Sequence, residues 1–224
     1  MKNKYVKRSK ISEAKFRKII LYFSLELDSQ KIAALTSLNR NTVNRYLGRI
    51  RTSLVDLCEA EARCCQSGPM PPPEGTDRTS DIPLTTATNS HLPVFGIRSR
   101  NDHVYTRLFS NGVRRQLRRL VHSGTGPQDF AVPKEWHDYD GIVDLNGRWH
   151  YRLSPVSPGV QTTEDIQNGV EAFLGFARRR LTTFHLNGSD HFNLYLKECE
   201  FRFNNRSENL YQLLLKRFRE KPLS

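Results

Sequence analysis

A chain of 224 residues with 37% hydrophobic and 26% charged content can bury a core in one good-sized domain, or in a small and a larger one, and is not a disordered polyelectrolyte. No run of about eighteen apolar residues occurs, and the basic stretch Met1 to Lys10 has no apolar segment behind it, so neither membrane span nor signal peptide is read and a cytoplasmic location is expected. The formal net charge of +12 is uneven, residues 1–65 holding 14 Lys/Arg against 6 Asp/Glu and residues 131–224 holding 13 against 12; a basic N-terminal module favours a polyanion whose counterions it displaces.

In chain order, Ile11, Phe16, Ile19, Ile20 and Phe23 lie on one side of a predicted amphipathic helix with Ser12 as its N-cap. After a break at Glu26 to Ser29, a second helix runs from Ser29 to Leu35 and a tight turn covers Thr36-Ser37-Leu38. Asn39 caps a third helix from Arg40 to about Leu54. This is helix-turn-helix spacing: Ala33 is small where two helices approach, Leu38 plugs the turn, and Val43, Leu47 and Ile50 face the core. The third helix then presents Arg40, Asn41, Asn44, Arg45 and Arg49 outward, side chains suited to base edges and phosphates. A plain helical bundle with a charged face is the alternative.

From Gln66 to Pro93 the chain holds six of its eleven prolines and eight Ser/Thr, the composition of a linker or disordered segment. Cys58, Cys64, Cys65 and Cys199 have no paired CxxC spacing, which suits free thiols rather than a zinc site. Val94 to Ile97 and His103 to Phe109 read as a hairpin turning at Asn101-Asp102. Gly112 to Val121 reads as a helix with Arg114, Arg115, Arg118 and Arg119 on one face, Phe130 to Val132 as a short strand, Trp136 to Leu145 as helical with a weak point at Asp140-Gly141, and Trp149 to Leu153 as a strand.

A helix follows from Glu164, because Val170, Phe173, Ala177 and Leu181 recur at the spacing of one buried face. Glu171 sits beside that face, where a carboxylate can be held rigidly and still reach a cleft as a metal ligand must, or can simply be solvated. Phe192, Tyr195, Cys199 and Phe203 mark a further helix, and Leu210, Leu213 and Leu214 a last one ending before Pro222. A sheet packed by helices, α/β in class, is the expected architecture of residues 94–224.

Tyr139 to Leu145, Asn168 to Phe173, Phe176 to Leu181 and Lys197 to Asn204, in this order behind the opening helix-turn-helix, resemble the DDE transposases of insertion-sequence family 1595, the ISXO type. The resemblance covers about three quarters of the chain. It implies a DNA-binding module, placed at 1–60, and a ribonuclease-H-like domain, placed at 94–224, with the compositional linker or disordered segment at 61–93 between them. Its chemistry is DNA transposition by phosphoryl transfer, with Mg2+ as the expected cofactor held by carboxylates. The implied partner is the double-stranded DNA of transposon ends, with a homo-oligomer left open and no membrane partner.

Glu171 matches the family's last catalytic metal ligand. The first aspartate, in an Asp-Glu-Ser strand motif followed by an aromatic, has no counterpart between Glu61 and Pro93, where Asp77 and Asp81 stand among prolines and threonines. The second should lie two residues before Trp136, where Lys134 stands, and a cation there repels a metal; Glu135 is one residue out of place. The family domain is therefore expected to be incomplete, with an exposed sheet edge where its first strand is missing. The copy is expected to bind DNA but to be catalytically impaired. An active transposase with ligands elsewhere, and a helix-turn-helix regulator, are the competing readings. Chain length between the helix-turn-helix and Val94 is kept while the family's residues are lost, which points to compensating frameshifts.

Overall fold

The computed structural model describes residues 3–64, 94–109, 139–144, 149–152, 163–183 and 189–224. Helices α1 (Glu13–Ser24), α2 (Ser29–Thr36) and α3 (Arg40–Cys64) are followed by strands β1 (Val94–Arg100), β2 (His103–Leu108), β3 (Gly141–Asp144) and β4 (Trp149–Arg152), then by α4 (Thr163–Thr183), α5 (Ser189–Asn204) and α6 (Leu210–Glu220). The chain is thus a mixture of helices and a small antiparallel sheet, α/β in the coarse sense. No helix among the described residues is long and apolar enough to cross a membrane.

The caps expected at Ser12 and Asn39 form, and Asp28 supplies a further one. Ser12 accepts from the amide of Lys15, and Asp28 from those of Gln30 and Lys31, satisfying N–H groups that have no partner inside the helix. Ser37 ends α2 in the left-handed conformation, and Asn41 N–H donates to Asn39 Oδ1 at 2.8 Å at the start of α3. The third helix is longer than its predicted end at about Leu54. No glycine or proline stops it, and Leu54 and Cys58 continue the buried row of Val43, Leu47 and Ile50 to Cys64. Tyr46, outside that predicted row, is also buried.

One apolar cluster gathers Phe16, Ile19, Ile20, Phe23, Ile32, Val43, Tyr46, Ile50 and Leu54 from the first three helices together with Phe201 of α5 and Leu214, Leu215 and Phe218 of α6. Helix α6 is distant in sequence, yet its apolar face completes the N-terminal core. The second cluster joins Phe95 and Ile97 of β1 to Val170, Phe173, Ala177 and Leu181 of α4 and to Phe192, Leu196 and Phe203 of α5. The buried stripe predicted on α4 is therefore the one that meets the sheet.

Strand order is β2-β1-β3-β4, all neighbours antiparallel. Asn101 and Asp102 both have positive φ, 51° and 62°, the left-handed pair that a two-residue hairpin turn requires and that Asn and Asp tolerate best. One expectation is corrected here. Gly141–Asp144 is a strand, not part of a helix: Ile142 and Val143 are β-branched, both are buried, and they pair across to Gly96 and Phe95. That strand lies on the side of β1 away from β2, so β1 is interior to the sheet. The predicted segments Gly112 to Val121 and Phe130 to Val132, with Lys134, Glu135 and Trp136, lie outside the described residues, as do 65–93.

Close packing on β1 requires a glycine at position 96. A Cβ there would stand 2.5 Å from Tyr139 Cδ1 and 2.9 Å from Phe109 Cζ, and these two rings meet edge to face at 5.2 Å between centroids. Gly48 of α3 has nothing within 4 Å of its would-be Cβ. Gly96→Ala is expected to destabilise by about 1–3 kcal/mol through overpacking, whereas Gly48→Ala should stabilise by about 0.5–1 kcal/mol through helix propensity. Urea unfolding of both variants checks the opposite signs.

Candidate nucleic-acid interface and the acidic positions

The corner between α2 and α3 is held tightly. Leu38 N–H donates to Ala33 O at 3.1 Å, and Lys15 Nζ reaches Ser37 O at 3.4 Å, tying α1 to the turn. From this corner α3 presents Arg40, Asn41, Asn44 and Arg45 to solvent, with Arg49 half-buried. Arg40 and Asn44 are four apart, as are Asn41, Arg45 and Arg49, so the five form adjacent rows on one helical face. The structure therefore groups all five positions picked out by the sequence. The guanidiniums of Arg45 and Arg49 lie over the Tyr46 ring, at 5.6 and 5.8 Å from its centroid. Among the described residues, no carboxylate forms a salt bridge with Arg40, Arg45 or Arg49.

Glu171 is exposed on α4, two residues beyond Gly169. At Gly169 the helix approaches β1 so closely that a Cβ would lie 2.5 Å from Ser99 Oγ. Ser99 N–H in turn donates to Asp140 Oδ2 at 2.7 Å. Asp140, by sequence only a weak point in a helix, is a buried carboxylate. Arg100 Nη1 donates to both of its oxygens, at 3.2 and 2.9 Å, so a metal would have to compete with a guanidinium for them. Among the described residues there is no group of three or more His, Cys, Asp or Glu able to hold a metal ion. The residues described here do not fit a two-metal site, and no catalytic step is derived through one.

Sequence reasoning missed what Lys197 to Asn204 does. Every one of these eight residues is buried, and the polar ones leave α5 in two directions. Towards the sheet, Asn204 accepts from Val104 N–H at 2.8 Å and donates to Val104 O at 2.9 Å. Glu200 Oε2 accepts from Thr106 N–H at 2.8 Å and from Thr106 Oγ1 at 2.6 Å, and Lys197 Nζ donates to Thr106 O at 2.6 Å and to Glu200 Oε2 at 2.8 Å. Towards the N-terminal helices, Glu198 accepts from Arg51 Nε at 2.7 Å and from Arg202 Nε at 2.9 Å. Arg202 Nη2 donates to Phe23 O at 2.7 Å, satisfying a carbonyl at the end of α1. Arg180 of α4 pairs with Glu26 beside this group. The sequence signal was an 8-residue run with five polar residues at spacings of three and four in a helix whose flanks are apolar, a pattern that needs polar partners on more than one side.

Burial pushes the Glu198 carboxyl upward, but the Arg51 and Arg202 guanidiniums outweigh it and hold the group below the ordinary value of 4.5. Burial likewise lifts the Cys199 thiol to about 12, so this cysteine is a packing residue and not a nucleophile. Cys58, Cys64 and Cys199 are free thiols.

The model of the ISXO2-like transposase domain matches residues 74–204, beginning within the Pro/Thr-rich stretch and ending at the last residue of α5. A curated relative in Haemophilus influenzae, described as an uncharacterized transposase-like protein, is 31% identical over 102 residues, 46% of this chain and 81% of the relative. No solved structure matches significantly. The class defined is that of insertion-sequence transposases. Within it the chain belongs to the ISXO2-like transposases, insertion-sequence family 1595.

Replacing Glu198 by glutamine would remove the carboxylate that pairs with both the buried Arg202 and the half-buried Arg51, at an expected cost of about 3–5 kcal/mol. Because the folded-state value lies below the unfolded one, the stabilisation from Glu198 is complete above about pH 4.5 and is lost as pH falls through the lower folded value. Denaturant unfolding between neutral and acid pH should show a shallower acid decline in Glu198→Gln than in the parent. Equal slopes would exclude the carboxylate as a contributor.

Proposed function

We propose that this chain is an insertion-sequence transposase that grips duplex DNA through a helix-turn-helix formed by α2 and α3, and that this copy is impaired in cutting and joining strands. The observation that carries the DNA-binding part is the exposed row of Arg40, Asn41, Asn44 and Arg45 at the capped, N-terminal half of α3, the part of a recognition helix that reaches deepest into a major groove. Arg45 suits the two acceptors of a guanine edge, and Asn41 and Asn44 suit an adenine edge. A ribonuclease-H-like domain is the family's expectation for the second half; an antiparallel sheet with α4 and α5 packed against β1 is compatible with it.

Impairment rests on residue chemistry. Lys134 stands where the family's second aspartate is expected, and Asp140, the carboxylate near the Gly169 approach, is engaged by Arg100 and the Ser99 amide. Glu171 is the one family ligand identified in the sequence, and one carboxylate cannot organise two divalent cations. In this reading the gene is a decayed copy whose stretch before Val94 has been read out of frame.

Selection of bound duplexes from a random pool by the full chain should return a preferred sequence, and Arg45→Ala should weaken binding to it by about 1–3 kcal/mol. Absence of any salt-sensitive DNA affinity would rule out the DNA-binding reading. Incubated with transposon ends and Mg2+ or Mn2+, the protein should leave them uncut; cleavage that disappears in Glu171→Gln would overturn the impairment. The nucleotides behind residues 62–93, translated in the other two frames, should yield an Asp-Glu-Ser motif followed by an aromatic.

A further inference from the structure

The segment before α1 is anchored, although nothing in its composition demands it. Tyr5 and Val6 are buried, with Tyr5 stacked on Phe16 at 6.0 Å between centroids. Leu223 N–H donates to Tyr5 O at 2.9 Å and Lys7 N–H to Leu223 O at 2.8 Å, so residues 5–7 run beside Leu223 as a short parallel bridge. Tyr46 Oη then takes hold of the segment from α3: it lies 3.2 Å from Ser9 Oγ and accepts from Lys10 N–H at 3.3 Å. The Tyr46 ring that makes these contacts is the one flanked by Arg45 and Arg49. Lys7, Arg8 and Lys10 are exposed, and among the described residues none forms a salt bridge with a carboxylate, whereas the neighbouring Lys4 is paired with Glu13 at 3.2 Å.

Arg8 has φ 52°, a left-handed conformation that costs free energy for any residue with a Cβ and that glycine adopts freely. Arg8 is thus an exposed arginine in a conformation that glycine would adopt at less cost, and among the described residues no carboxylate pairs with it. We infer that Lys7, Arg8 and Lys10 form a second DNA-contacting strip, an arm that lies on the phosphate backbone beside the groove entered by α3. The ligand chemistry is a row of phosphodiesters: the three cations are close in sequence, on a segment that Leu223 and Tyr46 hold, and Tyr46 is the ring over which Arg45 and Arg49 of α3 lie. Binding of this kind fixes position and carries no sequence information. The inference rests on the DNA-binding reading above and adds the arm to it.

The test uses the full chain and a short mixed-sequence duplex, with affinity measured by fluorescence anisotropy over a range of salt concentrations. Each phosphate contact removed should flatten the plot of log affinity against log salt by about 0.9, so Lys7→Gln, Arg8→Gly and Lys10→Gln together should flatten it by about 2.7. Arg8→Gly alone separates binding from folding, because it relieves the left-handed strain: its melting temperature should be no lower than the parent's while its salt plot is flatter. The combined variant should weaken selected and mixed-sequence duplexes by the same factor, whereas Arg45→Ala should weaken the selected one more. A combined variant with the parent's salt slope, alongside an Arg45→Ala that loses affinity, would overturn the arm and leave the helix-turn-helix reading standing. A parent chain with no DNA affinity would remove both.

Discussion

The outer edge of β2 ends on side chains of α5, and much of the molecule follows from that contact. Residues 104 and 106 of β2 turn their amides and carbonyls away from β1, where an edge strand would offer them to another chain. Asn204 takes both groups of Val104, and Glu200 with Lys197 takes both groups of Thr106. Three side chains on a helix do the work of a neighbouring strand. This places α5 in the interior, buried on all sides from Leu196 to Asn204, and its opposite side must then satisfy its own polar groups elsewhere.

That opposite side carries Glu198 and Arg202, and their partners lie on the N-terminal helices. Arg51 of α3 meets Glu198 with its guanidinium 4.4 Å from the Tyr195 ring centroid, and Arg202 reaches the carbonyl end of α1 across Phe23. A buried ion pair of this kind adds little to stability compared with an apolar pair, but a wrong docking geometry would strand a charge in the interior. Directional contacts thus select one arrangement of α1 and α3 on α5, while the apolar cluster with Phe201, Leu214 and Phe218 supplies most of the attraction.

Helix α3 carries this arrangement outward. Its 25 residues span about 37 Å at 1.5 Å per residue. Its middle anchors Arg51, its C-terminal half packs Leu54 and Cys58 in the core, and its N-terminal half bears the exposed Arg40, Asn41, Asn44 and Arg45. The face that presents these side chains is therefore continuous, through one unbroken helix, with α5 inside the stretch matched to the transposase family.

Local patterns were enough to set the caps at Ser12 and Asn39, the hairpin turn at Asn101-Asp102, the buried stripe of α4 and the outward row on α3, because each depends on spacing within a few residues. The family resemblance was also legible, since its motifs are short runs of sequence. What the sequence alone left open is where elements meet. The strand at Gly141–Asp144 escapes a reading by pattern because four residues beside an Asp-Gly step show no decisive period, and pairing with β1 decides it. Asp140 looked like a helix breaker until Arg100 and the Ser99 amide were seen to hold it. The run Lys197 to Asn204 was visible as a motif, but its purpose was not: Val104 lies 100 residues from Asn204 and Arg51 lies 147 from Glu198, and no periodicity reports contacts at such separation. Only the tertiary structure, which brings buried charges to the partners their desolvation requires, decided that this motif joins the sheet to the N-terminal helices.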